Sequence, residues 1–100
     1  MSVDLCVLLW PHEGMEAALV DYEDEVLVLV AEHGGAVLQR VRTRPWEDAA
    51  GSDPPFEVHV IRFPDQAAFD AYLADPRRTA MADRRDAAIA RTEVLPVDLV

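Results

Sequence analysis

A chain of 100 residues is enough for one domain around one core, and a 51% hydrophobic fraction is high for a small surface that must stay wet unaided. Nineteen acidic residues against nine basic ones, all arginine, leave a net charge of −10, which repels phosphate backbones and argues against a nucleic-acid partner. No apolar run approaches the roughly 20 residues of a membrane span, Asp4 stands where a secretory leader would be basic, and a single cysteine, Cys6, excludes an intrachain disulfide, so a cytoplasmic setting is expected.

Val3–Trp10 is nearly continuous in apolar residues and predicts a central strand, ended by Pro11. From Glu13 to His33 the pattern is contested. Met15, Leu19, Tyr22, Val26, Leu29 and His33 recur every three or four residues, which is a helical stripe. Val26–Val30 is rich in β-branched residues, and Gly34-Gly35 could close a hairpin. The acidic block Asp21–Glu25 breaks any strand alternation, however, and suits the outer side of a helix. Gly34 stands where a left-handed cap belongs. A helix is therefore expected, followed by a second strand over Ala36–Arg44 and a long loop over Pro45–Pro55.

Phe56–Phe63 alternates as a half-buried third strand requires. Pro64 stops it, and Asp65 is placed to cap the next helix. Phe69, Tyr72 and Leu73 give that helix, Asp65–Ala74, a face to pack on the sheet. Pro76 separates it from a second segment, Arg77–Ala90, and Thr92–Val97 supplies a fourth strand.

The order β-α-β-β-α-β with right-handed crossovers predicts an α+β, ferredoxin-like sandwich. Its four-stranded antiparallel sheet runs in the order 4-1-3-2, with the helices on one face. Strand alternation predicts Val3, Leu5, Val7 and Leu9 beneath the helices, together with Phe56, Val58 and Val60. The opposite parity collects Cys6, Leu8, Trp10, Leu38, Arg40, Arg42, Glu57, His59, Ile61, Phe63, Leu95 and Val97 on the open face. That set is too apolar for water and too polar for a simple core, so a second copy of the chain is expected to cover it.

With these stretches in view, the chain resembles the dimeric α/β-barrel superfamily, whose members pack two ferredoxin-like sheets face to face. Within it, the chain is similar to a bacterial family of about this length with no assigned function. The likeness rests on Glu32-His33-Gly34-Gly35 with Val37–Val41, and on Val60–Pro64, Ala71-Tyr72, Asp75-Pro76 and Arg84-Arg85. Ala71 departs from the bulkier aromatic usual at that place. The resemblance implies a homodimer and a pocket between sheet and helices. Superfamily members include cofactor-independent monooxygenases, haem-degrading enzymes, isomerising enzymes and stress proteins without a settled reaction, and the resemblance does not choose among them.

His59 is the residue with the most chemistry, since Glu57 two positions away on the same face could orient it as a general base. The competing reading makes both part of a polar network at the dimer interface, with Arg40 and Arg42 from the adjoining strand. Cys6 on the same predicted face raises a thiolate–imidazole pair, against which stands its use as a small buried hydrophobe. Trp10, Trp46 and Tyr72 could line or lid a pocket, with Arg40 and Arg42 as its polar members; rim packing is the plainer alternative. Arg77, Arg78, Arg84 and Arg85, alternating with Asp75, Asp83 and Asp86, read as a solvated helix surface. His12, His33 and His59 show no metal-ligand spacing, and no cofactor is expected. Two functions stay open: a homodimer binding a small hydrophobic or aromatic ligand, and a cofactor-independent monooxygenase or isomerase.

Overall fold

The computed structural model describes residues 1–44 and 52–100. Nine elements follow one another: β1 (Val3–Pro11), α1 (Glu16–Val26), α2 (Val28–Glu32), β2 (Ala36–Arg42), β3 (Glu57–Phe63), α3 (Gln66–Leu73), α4 (Pro76–Thr79), α5 (Ala82–Ala88) and β4 (Ile89–Pro96). The strands form one antiparallel sheet in the order β2-β3-β1-β4, the reverse reading of 4-1-3-2. This is the expected ferredoxin-like sandwich. Among the described residues no helix is long and apolar enough to cross a membrane.

The contested segment is helical. Leu27 keeps right-handed helical angles, so α1 and α2 differ by one turn residue and not by a change of direction. Leu19, Tyr22, Val26, Leu29 and Val30 lie buried along one side, so the stripe overrides the β-branched composition. Gly34 ends α2 at φ +79°, the left-handed conformation that glycine adopts without steric cost. Gly35 is required for a different reason. A Cβ there would come within 2.8 Å of Val30 Cγ1 and 2.9 Å of the Phe63 ring.

The break expected at Pro76 is present: the proline opens α4 as its first residue, where its missing N–H costs nothing, and the single segment expected beyond it is divided into α4 and α5. Asp75 caps that turn through Oδ1, which accepts from the Arg77 N–H at 2.8 Å. The strand expected from Thr92 begins at Ile89, which pairs with Pro11 and is buried, so the helix ends at Ala88. Asp65 caps α3 as predicted, accepting from the Ala68 N–H at 2.8 Å. The stretches that carried the family resemblance meet in space. His33 Nε2 donates to Asp75 Oδ2 at 2.8 Å, and Arg77 bridges Asp75 to Glu32 at 2.8 and 2.9 Å. They are joints between α2 and α4.

The sheet faces require a correction. On β1 the predicted parity holds: Leu5 and Leu9 are buried with the helix residues. On β3 it is reversed. The register pairs Leu5 with Ile61, Val7 with His59 and Leu9 with Glu57, so Glu57, His59, Ile61 and Phe63 lie beneath the helices while Val58 and Val60 face outward. Phe63 decides the matter physically. It is fully buried, and its ring lies 5.4 Å from those of both Phe69 and Tyr72. Arg40 and Arg42, opposite His59 and Glu57, turn to the same side, and a register shift between Val37 and Gln39 sets their phase. The open face is consequently more apolar than predicted, with Cys6, Leu8, Val41, Val58, Val60 and Leu95 along it.

Candidate functional site

Two residues apart on β3, Glu57 and His59 share the helix side of the sheet. A buried carboxylate is prohibitive without partners, and Glu57, with no exposed surface, has three. Arg40 Nε donates to Oε2 at 3.0 Å, Arg42 Nε to Oε1 at 2.7 Å, and His59 Nε2 to Oε2 at 2.5 Å. Arg40 also reaches Asp24 at 2.6 Å, which ties the network to α1. Burial pushes the Glu57 carboxyl up, but the hydrogen bonds from His59, Arg42 and Arg40 outweigh it and hold the group down at about 2. An ionised acceptor fixes the histidine tautomer. Nε2 carries the ring proton, and Nδ1 is left as the basic nitrogen.

His59 lines a cavity of about 100 Å³ between the sheet and the helices. Leu5, Leu9, Ile61 and Phe63 give it an apolar floor, and Tyr22, Glu23, Val26 and Tyr72 wall it from α1 and α3. Glu23 is 6% exposed. Burial raises its carboxyl to about 7; the nearby Glu57 reinforces the shift, while His59, Arg40 and Arg85 oppose it. The less buried lining residues, including Arg78, Arg85 and Thr92, form the rim.

At that rim the Arg78 guanidinium lies over the Tyr72 ring, 5.2 Å from its centroid, and Nη1 donates to the Leu73 carbonyl at 3.5 Å. Arg78 Nε is buried with no hydrogen-bond partner among the described residues. Arg85 Nη2 donates to Thr92 Oγ1 at 2.8 Å. Burial raises the hydroxyls of both Tyr22 and Tyr72 against the opposing charge of Arg78, which also hydrogen-bonds to the Tyr72 hydroxyl.

Of the residues singled out from sequence, His59 and Tyr72 line the cavity, and Glu57 stands directly behind His59. Arg40 and Arg42 belong to the Glu57 network and do not line the cavity. Trp10 lies on the open face, where it pairs with Arg91; that guanidinium sits 4.1 Å from the indole centroid, and Trp10 Nε1 donates to the Asp53 carbonyl at 3.0 Å. Trp46 lies outside the described residues. Cys6 pairs with Val60 on the open face, so it and His59 occupy opposite sides of the sheet and form no pair. His33 serves the Asp75 joint, and His12 Nε2 donates to the Asp86 carbonyl at 3.0 Å. Among the described residues no group of three histidine, cysteine or acidic side chains could hold a metal ion.

Glu23, Arg78 and Arg85 were not legible as site residues. Glu23 is four residues after Leu19 and three before Val26, so its place on the buried stripe was available from spacing. The acidic run Asp21–Glu25 masked it. Arg78 and Arg85 read as solvated because their sequence neighbours are charged.

Residues 12–98 match the family model described as a domain of unknown function, DUF1330. A comparison with curated proteins returned no match. Among solved structures, a protein of unknown function from Rhodopseudomonas palustris is 15% identical with a TM-score of 0.80, covering 99% of this chain and 82% of its own. A dimeric ferredoxin-like protein of unknown function from Jannaschia sp. CCS1 is 17% identical with a TM-score of 0.70, covering 99% and 100%. SnoaB, a cofactor-independent oxygenase from Streptomyces nogalater, is 16% identical with a TM-score of 0.68, covering 99% and 95%. At these identities the likeness establishes a common fold.

Proposed function

The chain belongs to the DUF1330 family, and from that premise we propose that it is a homodimer binding a small organic ligand in the cavity between its sheet and helices. The observation that carries this reading is the convergence of Glu23 and His59 on a space otherwise walled by apolar and aromatic side chains. Ligand sites have this composition: an apolar enclosure for affinity and a few placed polar groups for orientation. The homodimer is supported by the apolar open face and by a dimeric neighbour of the same fold.

The same convergence favours a second reading, acid–base catalysis, with His59 and Glu57 in the roles expected from the sequence. Glu57 orients the ring, and His59 Nδ1 takes a proton from a carbon beside a ligand carbonyl. Glu23, near half-protonated at neutral pH, in its protonated form donates a hydrogen bond to the oxygen as the enolate forms. Return of the proton to another carbon is an isomerisation. Such an electron-rich intermediate can also react with dioxygen, and one neighbour of the same fold, SnoaB, is a cofactor-independent oxygenase.

Thermal denaturation against a panel of small aromatic and branched aliphatic carbonyl compounds tests the first reading. Some compounds raise the melting temperature of the native protein, as binding to the folded state requires. Val7→Phe, which fills the cavity from the sheet side, removes that shift. Equal stabilisation of the Val7→Phe protein would place binding elsewhere and overturn the ligand reading. For the second reading, compounds that bind exchange a carbon-bound proton for deuterium in heavy water, by NMR. His59→Gln abolishes the exchange, and exchange surviving in that variant would overturn a catalytic role.

A further inference from the structure

We infer that the ligand is an anion, a small apolar carboxylate whose body fills the cavity and whose charged end is held by Arg78 at the rim. This rests on the ligand-binding reading above and deepens it to a chemical class.

Arg78 differs from its neighbours in sequence. Arg77 is paired with Asp75 and Glu32, and Arg84 with Glu25. Arg78 forms no ion pair with any described carboxylate, and its Nε is a buried donor left without a partner. Buried donors in native proteins are nearly always satisfied, so this arginine on the cavity lining has hydrogen-bonding capacity that the described residues do not use up. A guanidinium presents its N–H groups as a planar fork that matches the two oxygens of a carboxylate. Stacking on Tyr72 holds the fork at the cavity edge.

The surroundings preserve that positive charge. Burial raises the acid in the lining, Glu23, to about 7, so below neutral pH it is largely protonated and does not quench the arginine. Arg85, whose guanidinium is engaged by the neutral Thr92 hydroxyl and lies 3.7 Å from Asp86, adds a second cation to the same rim. In a chain of net charge −10, two arginines on one cavity mouth form a local reversal of sign that an anion can find. The volume limits the body. About 100 Å³ is less than the roughly 150 Å³ cavity known to take up benzene, so a short branched chain fits inside and a ring enters only in part, with the head group at the rim.

The test uses matched pairs that share a carbon skeleton: 4-methylpentanoate with 4-methylpentanamide, and benzoate with benzamide. Binding to the full chain is measured by isothermal titration calorimetry at pH 6.0, where Glu23 is largely protonated and the ligand carboxylates are ionised. The carboxylate binds at least about tenfold more tightly than its amide. Arg78→Gln weakens carboxylate binding until it is level with that of the amide in the same variant. Arg78→Lys, which keeps the charge but loses the fork, retains part of the preference and serves as the second variant if Arg78→Gln does not fold. An amide that binds as well as its acid, and is expelled by Val7→Phe, would overturn the anion inference while leaving the ligand reading intact. A carboxylate preference that survives Arg78→Gln in a protein of unchanged melting temperature would remove Arg78 from the site. If neither member of any pair binds, the inference fails, and the wider panel decides whether the cavity takes a ligand at all.

Discussion

Two carboxylates share the core of this protein, and burial acts on both while their partners send them in opposite directions. Glu57 receives three hydrogen bonds from cationic or ring N–H donors and is ionised at neutral pH. Glu23 feels nearby charges without such donors, and burial prevails. Their effects on stability are opposite. Glu57, depressed from 4.5 to about 2, contributes stability that is present above pH 4.5 and lost as pH falls toward 2. Glu23, raised from 4.5 to about 7, is neutral in the folded chain while already ionised in the unfolded one, so stability declines as pH climbs from 4.5 to 7 and then levels off. The shift corresponds to a loss on the order of 3 kcal/mol across that interval. Glu23→Gln cannot ionise and escapes that decline. Urea denaturation from pH 5 to pH 8 is expected to show the variant gaining on the native protein as pH rises. Parallel pH profiles would show that Glu23 is not buried as its own acid.

At the scale of elements, the joints are better defined than the helices they join. α1 runs into α2 through Leu27 with no directional break, and α2 then ends abruptly because Gly34 turns left-handed and Gly35 passes against Val30 and Phe63. Both glycines are needed, for distinct reasons that substitution separates. Gly34→Ala meets only ordinary contact with Pro64 and suffers the left-handed backbone cost, about 1–2 kcal/mol. Gly35→Ala drives a methyl into two fully buried side chains, and overpacking of this kind costs about 1–3 kcal/mol. For a domain of this size each kcal/mol lowers the melting temperature by roughly 4–8 °C. Gly35→Ala is expected to melt clearly below the native protein, and Gly35→Ala with Val30→Ala to recover part of the loss by making room. A double variant that melts lower than the sum of its single changes would show that Val30 is not what the methyl strikes.

The described residues form a thin slab, 16 Å along its shortest axis, with the helices on one side of the sheet and no described helix on the other. The uncovered side is apolar along its centre, from Leu8 and Cys6 across Val60 and Val58 to Val41. Charged pairs stand toward its margins, Asp4 with Arg62 and Arg91 with Glu93. That pattern of apolar centre and polar rim is what a self-association surface presents. Light scattering at micromolar concentration is expected to give twice the chain mass, with well over roughly 1,000 Å² buried in total. Val60→Arg, at the centre of the face and away from the cavity, is expected to yield a folded monomer. A native protein that is monomeric at that concentration, or a Val60→Arg protein that stays dimeric through the same surface, would refute the sheet-face dimer.

Periodicity determined the element order and, with the acidic block and Gly34, the helical character of Val26–Val30, because spacings of two and of three to four survive any later packing; the sheet topology followed from that order with right-handed crossovers. The capping roles of Gly34 and Asp65 were legible for the same reason, since each depends on local backbone chemistry. Which face of β3 turns inward was not legible. Both parities of that strand are half apolar, Val58 and Val60 against Ile61 and Phe63, and only the pairing with β1, with Phe63 wedged against Phe69 and Tyr72, chose between them. That choice carried Glu57 and His59 from a predicted interface into the core. The rest of the candidate site came with it. Glu23 comes from the wall opposite that strand, and Arg78 and Arg85 from elements after it; their convergence exists only once the helices are laid on the sheet.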